Sequence, residues 1–248
     1  MELDVVFTAD EVDPALTPEK NAVVIDVLRA TTTMITSLVN GCETIIPVVR
    51  PEDGRKILEE ALASGEPRQN YCLGGERGGI IIPGYDLGNS PLEYTSQVIK
   101  GKKLIFCTTN GTLAINKAAY AKRLFLGALV NGKSVAQVLK EYDESLLLVC
   151  AGTKGSFSLE DTMAAGLIIH ELLTYKPDLV LLDRAVAALA LFRHHKADLF
   201  QAINLSKHAK VLTSLGFIED IEYCVKTDLF PCVPYFEDGK IKLFCMES

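Results

Sequence analysis

Short, almost wholly apolar runs recur along the first two-thirds of this chain, each followed by a stretch with helical spacing. That alternation restricts the fold more than any other feature. Ala22-Val-Val-Ile25 and Leu146-Leu-Leu-Val149 carry no polar residue on either face. Strands of this kind are buried on both sides, as in a parallel sheet covered by helices. The pattern predicts strands over 3–8, 22–26, 43–49, 103–107, 123–126 and 145–150. Helices are predicted over 32–39, 52–63, 92–99, 111–119, 133–141 and 159–173. This order implies an α/β fold with a mostly parallel or mixed β-sheet flanked by helices. After Pro177 the rhythm changes to helices over 178–193 and 196–215. A hairpin near the C-terminus follows, with strands over 233–236 and 241–244 turning through Asp238-Gly239. No repeat or linker divides the 248 residues, so one domain is expected, with room for two lobes.

Composition enters where function classes must be excluded. With 48% hydrophobic and 23% charged residues the chain is too apolar for disorder. No apolar run approaches the roughly 18 residues of a membrane span. The start, Met1-Glu-Leu-Asp4, has no basic or apolar leader pattern, so no secretory signal is expected. A formal charge of −7 and a pI near 5.2 argue against a nucleic-acid partner, which would demand a basic face. Seven cysteines (42, 72, 107, 150, 224, 232 and 245) lie scattered, without CxxC spacing. They read as reduced thiols packed like small hydrophobes rather than as a zinc site. His194-His195 reads as helix surface. The expected setting is cytoplasmic.

In open parallel sheets ligands gather beyond the carboxyl ends of the strands. Four segments stand there. In Asp26-Val-Leu-Arg29-Ala-Thr31-Thr32-Thr33, an acid, an arginine and helix-start hydroxyls can hold a cation and an anion together. Thr31 could equally be a plain helix cap. In Gly74-Gly-Glu76-Arg77-Gly-Gly79, glycines flank an opposed charge pair, although a solvated turn has the same composition. Downstream, Gly88-Asn89-Ser90-Pro91-Leu92-Glu93 has the form of a capping box and is also a candidate to face the same site. Thr108, Thr109, Asn110, Gly111 and Thr112 could form an oxyanion cradle between strand and helix, where an ordinary helix cap would account for only one or two of them. In the fourth segment Gly152, Thr153 and Lys154 precede Ser158-Leu-Glu160-Asp161. Its two adjacent carboxylates suit an oxygen-ligated Mg²⁺, or simply a capped helix start. Neither a P-loop, a Cys-x₅-Arg loop, an Asp-x-Asp nucleophile, an Arg-His-Gly triplet nor a GxSxG elbow occurs.

These ordered blocks resemble the 2-phosphosulfolactate phosphatase family, Mg²⁺-dependent enzymes linked to coenzyme M biosynthesis. The resemblance runs from Asp26-Val-Leu-Arg29-Ala-Thr31 through Gly74-Gly-Glu76-Arg77, Gly88-Asn-Ser90-Pro, Thr108-Thr-Asn110-Gly-Thr112 and Ala151-Gly-Thr153 to Glu160-Asp161. It implies an α/β fold and hydrolysis of a phosphate ester on a small polyanionic hydroxy acid. Under that resemblance Asp26, Glu160 and Asp161 would meet Mg²⁺, with Asp26 open as a nucleophile instead. Arg29 and Arg77 would grip acid groups, and Glu76 would act as general acid or base. Thr31, Thr32, Asn89, Ser90, Thr108, Thr109, Asn110, Gly111, Thr112, Gly152 and Thr153 would bind substrate. A related phospho-acid phosphatase and a non-catalytic phosphometabolite binder are the alternatives. A homodimer is the default expectation for such an enzyme.

Overall fold

A computed structural model describes residues 1–15 and 17–244, so Cys245 lies outside the described residues. Its strands are β1 (Glu2–Val6), β2 (Asn21–Ile25), β3 (Thr44–Val48), β4 (Tyr71–Arg77), β5 (Ile80–Ile81) and β6 (Lys103–Cys107). They continue with β7 (Arg123–Gly127), β8 (Leu146–Cys150), β9 (Val180–Leu181), β10 (Val233–Glu237) and β11 (Lys240–Phe244). The first five helices are α1 (Ala30–Val39), α2 (Pro51–Ala63), α3 (Ser96–Ile99), α4 (Gly111–Ala118) and α5 (Gly132–Leu139). The second five are α6 (Leu159–Tyr175), α7 (Asp183–His195), α8 (Leu199–Asn204), α9 (Lys207–Ser214) and α10 (Ile218–Cys224). The α/β class expected from the sequence is the observed one.

Four local differences have physical causes. β4 was hidden by its glycines, which are poor strand formers but admit close backbone approach. A Cβ on Gly75 would sit 2.0 Å from the Cys107 carbonyl oxygen on β6. The expected helix over 92–99 is a 3₁₀ turn at Pro91–Glu93 followed by the short α3. Glu93 does not close the capping box there, because its Oε2 accepts the Gly88 N–H at 2.6 Å. The expected helix over 196–215 breaks where Ser206 Oγ accepts the Ala209 N–H at 3.1 Å and starts α9 afresh. The residues expected to open a helix at 178 instead give β9, which pairs in parallel with β1 before α7 starts.

The sheet order is β5-β4-β6-β3-β11-β10-β7-β2-β8-β1-β9. Two parallel groups, β4-β6-β3 and β7-β2-β8-β1-β9, are joined by the antiparallel C-terminal hairpin. The hairpin turns as the Asp-Gly pair requires, with positive φ at Asp238 (49°) and Gly239 (75°). Three successive antiparallel pairings reverse direction between the groups, so a flat sheet would put their carboxyl ends on opposite edges. The sheet instead wraps around α1 and α4. One core cluster takes Val24 and Val149 from one group, Leu104 and Phe106 from the other, and Met34 and Ile115 from the two helices. α1 buries every residue from Ala30 to Leu38, as a helix enclosed on all sides must. α5, α6 and α7 cover the outer face of one group, and α2 covers that of the other.

Candidate functional site

Wrapping brings the end of β2 against the start of α4. A Cβ on Gly111 would fall 2.5 Å from Ala30 Cβ and 2.8 Å from Asp26 Oδ2, so only glycine lets these turns meet. The turn after β2 is self-braced. Asp26 Oδ1 accepts the Ala30 N–H at 3.1 Å, and the Asp26 N–H donates to Thr31 Oγ1 at 2.9 Å. Thr32 Oγ1 donates to the Val27 carbonyl at 2.9 Å, and Thr33 Oγ1 to the Asn89 carbonyl at 2.9 Å. Thr31 and Thr32 thus hold the turn together and do not line the cleft beside it.

That cleft has a volume of about 340 Å³, and Asp26, Arg29, Glu76, Asn89, Thr109, Asn110, Thr153, Lys154 and Glu160 form part of its wall. Glu76, at the end of β4, is fixed by two amides: the Thr109 N–H on Oε1 and the Gly79 N–H on Oε2, both at 2.7 Å. Asn110 Oδ1 accepts the Lys154 N–H at 3.1 Å and joins the α4 start to the loop after β8. Thr108 and Thr112 bond each other's backbone and cap α4 from beneath. Three buried oxygens on the cleft wall have no partner: Asn89 Oδ1, Thr109 Oγ1 and Glu160 Oε2. Buried polar atoms are rarely left without a partner, so this cluster calls for a ligand.

The two neighbouring acids of α6 separate. Glu160 faces the cleft. Asp161 is turned away from it, its carboxylate accepting the Val27 N–H at 2.8 Å and the Gly152 N–H at 3.1 Å. It clamps the β2 turn to the β8 loop, which is also where the Gly152 amide is spent. Among the described residues no three His, Cys, Asp or Glu side chains gather closely enough to hold a metal by themselves.

Burial raises Asp26 to about 7; the Ala30 N–H opposes this, Glu76 and Glu160 add to it, and Arg29 opposes it. Burial, then Asp26 and Glu160, also hold Asp161 well above the ordinary carboxylate range. Both acids ionise near 3.8 when unfolded, so between pH 5 and 7 unfolding releases protons and stability must fall as pH rises. Partly exposed acids held low by partners, such as Glu144, are ionised in both states there and do not oppose the trend. The thermal midpoint of the metal-free protein should therefore be lower at pH 8 than at pH 5, and a higher midpoint at pH 8 would contradict this reading.

The two arginines have different fates. Arg77 is outside the cleft wall, its donors taken by the Glu76 carbonyl (2.9 Å), the Val49 carbonyl (2.7 Å) and Cys107 Sγ (3.1 Å). Arg29 lines the cleft and is held from behind. Its NH1 bonds Asp220 Oδ2 at 2.6 Å, its NH2 the Gly79 carbonyl at 2.9 Å, and Phe217 stacks 4.3 Å from the guanidinium. Ser90 Oγ donates to the other Asp220 oxygen at 2.6 Å, so Ser90 reaches the site through Asp220. Arg29 and Asp220 are 2% and 3% exposed. Removing one partner strands a buried charge, which costs about 3–5 kcal/mol. Asp220→Ala should lower the urea-unfolding free energy by that amount, and a loss below about 1 kcal/mol would refute the latch.

Asp220, Phe217 and the cleft-lining Ser206, Lys207, His208 and Val211 were not foreseen. They belong to helices distant in sequence from every strand end, where Asp220 reads only as an acid in a first helical turn. Cys107 and Cys150 are buried, free and absent from the cleft wall; burial raises both thiols. His194 and His195 end α7, away from the cleft. Among the described residues no helix is long and apolar enough to cross a membrane.

Comparison with known proteins places this geometry. A family model described as 2-phosphosulpholactate phosphatase matches residues 6–239. A probable 2-phosphosulfolactate phosphatase of Clostridium tetani is 40% identical over 243 residues, covering 98% of this chain and 100% of its own length. One from Clostridium novyi is 39% identical over 241 residues, covering 97% of this chain and 99% of its own. A third, from Symbiobacterium thermophilum, is 39% identical over 222 residues, covering 90% and 93%. With the match running through every segment of the cleft wall up to residue 239, the chain belongs to the 2-phosphosulpholactate phosphatase family.

Proposed function

We propose that this chain is a Mg²⁺-dependent phosphatase that hydrolyses 2-phosphosulfolactate to 3-sulfolactate and phosphate. Family membership and the printed names of its relatives support the substrate class. The observation that carries the chemistry is the set of three unpartnered buried oxygens sharing a cleft wall with Asp26.

The residues present fit Mg²⁺. Asp26 and Glu160 offer hard oxygen donors, and Glu160 Oε2 has no protein partner. Mg²⁺ commonly takes one or two carboxylates and completes its shell with waters and phosphate oxygens, so a third acid is not needed. When bound, the ion supplies charge neutralisation of the phosphoryl oxygens and orients water for in-line attack. The chain itself does the rest. Thr109 and Asn89 present hydrogen-bonding groups to the ester, and Arg29, fixed by Asp220, directs its remaining N–H donors at oxyanions. Glu76, oriented by two amides, is placed to carry a proton to or from the reacting oxygens. The six described cysteines are free, which suits the reducing cytoplasm.

The test is phosphate release from 2-phosphosulfolactate and from 2-phospholactate, which lacks the sulfonate. We expect kcat/KM at least about tenfold higher for the first, equivalent to roughly 1.4 kcal/mol of transition-state discrimination. Equal efficiencies would keep the phosphatase and remove the sulfonate preference. No release from either compound in the presence of Mg²⁺ would reduce the protein to a binder.

A further inference from the structure

The substrate proposed above carries a third anion, a sulfonate, beyond its phosphate and carboxylate, and the cleft wall holds cations that the chemistry leaves unused. Arg29 is already paired with Asp220. Lys207 and His208, at the start of α9, line the cleft and have no acidic partner among the described residues; the same is true of Lys154, but its backbone N–H ties it to Asn110 at the start of α4, beside Asp26. Val211 lines it too, one turn later, so one face of α9 forms a wall of the cleft with cationic and polar groups followed by an apolar one. The carboxylates belong to other elements, the ends of β2 and β4 and the start of α6. The charged groups acting most strongly on Asp26 are Glu76, Glu160 and Arg29, none of them from α9.

α9 is held in place from two directions. At its end, Leu215 packs on the Gly78-Gly79 turn so closely that a Cβ on Gly79, itself at φ 86°, would approach Leu215 Cδ1 to 2.9 Å. Beyond it, α10 is tied to the cleft by Asp220 and Phe217 on either side of Arg29. A lysine on such a wall is positioned to meet an anion that enters the cleft. We propose that Lys207, aided by His208, receives the sulfonate of the substrate and is the specificity-determining group of the cleft; this rests on the hydrolase reading. The phosphate then lies at the carboxylate end, with the short carbon chain between Val211 and Phe157, both on the wall.

The experiment is calorimetric titration of the protein, with Mg²⁺ present, by 3-sulfolactate and by lactate. Wild type, Lys207→Ala, Lys207→Ala/His208→Ala and Lys207→Arg are compared, with Lys210→Ala as a control on α9 outside the cleft wall. The preference for sulfolactate over lactate should fall at least tenfold in Lys207→Ala, further in the double variant, and be largely restored in Lys207→Arg. Lys210→Ala should stay within twofold of wild type. No measurable binding of sulfolactate to wild type, or a preference unchanged within twofold in the double variant, overturns the proposal. If phosphate release fails but sulfolactate binding still depends on Lys207, the subsite stands and the hydrolase reading falls. Turnover with an unchanged preference overturns the subsite alone.

Discussion

Asp26→Asn will abolish phosphate release to within assay limits, a loss of at least about a thousandfold or roughly 4 kcal/mol of transition-state stabilisation. The substitution preserves volume, and an amide oxygen can still accept the Ala30 N–H now bonded to Oδ1. The packing against Gly111 is also kept. What disappears is the negative charge that the proposed mechanism uses. That same charge is unfavourable in the metal-free protein, where burial, Glu76 and Glu160 all resist it. The variant should therefore be at least as stable as wild type at pH 8, where wild-type Asp26 is forced to ionise. Activity and stability moving in opposite directions would separate a functional role from a structural one. An inactive variant that is also strongly destabilised at pH 8 would mean that Asp26 serves the fold instead.

Much of the cleft was legible because strand ends are legible. Asp26, Glu76, Thr109 and Glu160 each follow a recognisable apolar run or glycine break, and the structure brings all four to one wall. The role expected of Arg77 misleads for a local reason. Glu76 and Arg77 are consecutive in a strand, and side chains alternate faces there, so one can meet the cleft only if the other turns away. The glycines that concealed β4 concealed that alternation as well. Thr31 and Thr32 mislead because hydroxyls in an enclosed helix satisfy themselves on nearby carbonyls before any ligand arrives. The same competition took Asp161, which accepts two backbone N–H hydrogen bonds where two loops meet. Asp220 lies 191 positions from Arg29, and no local pattern can announce so distant a pair. The α9 wall was obscured by one serine, since Ser206 splits what reads as a continuous helix and re-aims Lys207 and His208.

In the proposed mechanism this cleft hydrolyses a phosphate ester with a divalent ion that Asp26 and Glu160 would hold. Metal removal is the decisive measurement, because these two acids would supply only part of a Mg²⁺ shell and would need substrate oxygens and waters for the rest. Protein stripped by chelation and assayed for phosphate release from 2-phosphosulfolactate should have no detectable turnover. Adding Mg²⁺ should restore full activity, with phosphate and 3-sulfolactate formed in equal amounts. Restoration should fail in Glu160→Gln, which keeps the shape of the side chain but not its charge. Unchanged turnover in the thoroughly metal-stripped wild-type protein would mean that the reaction needs no divalent ion.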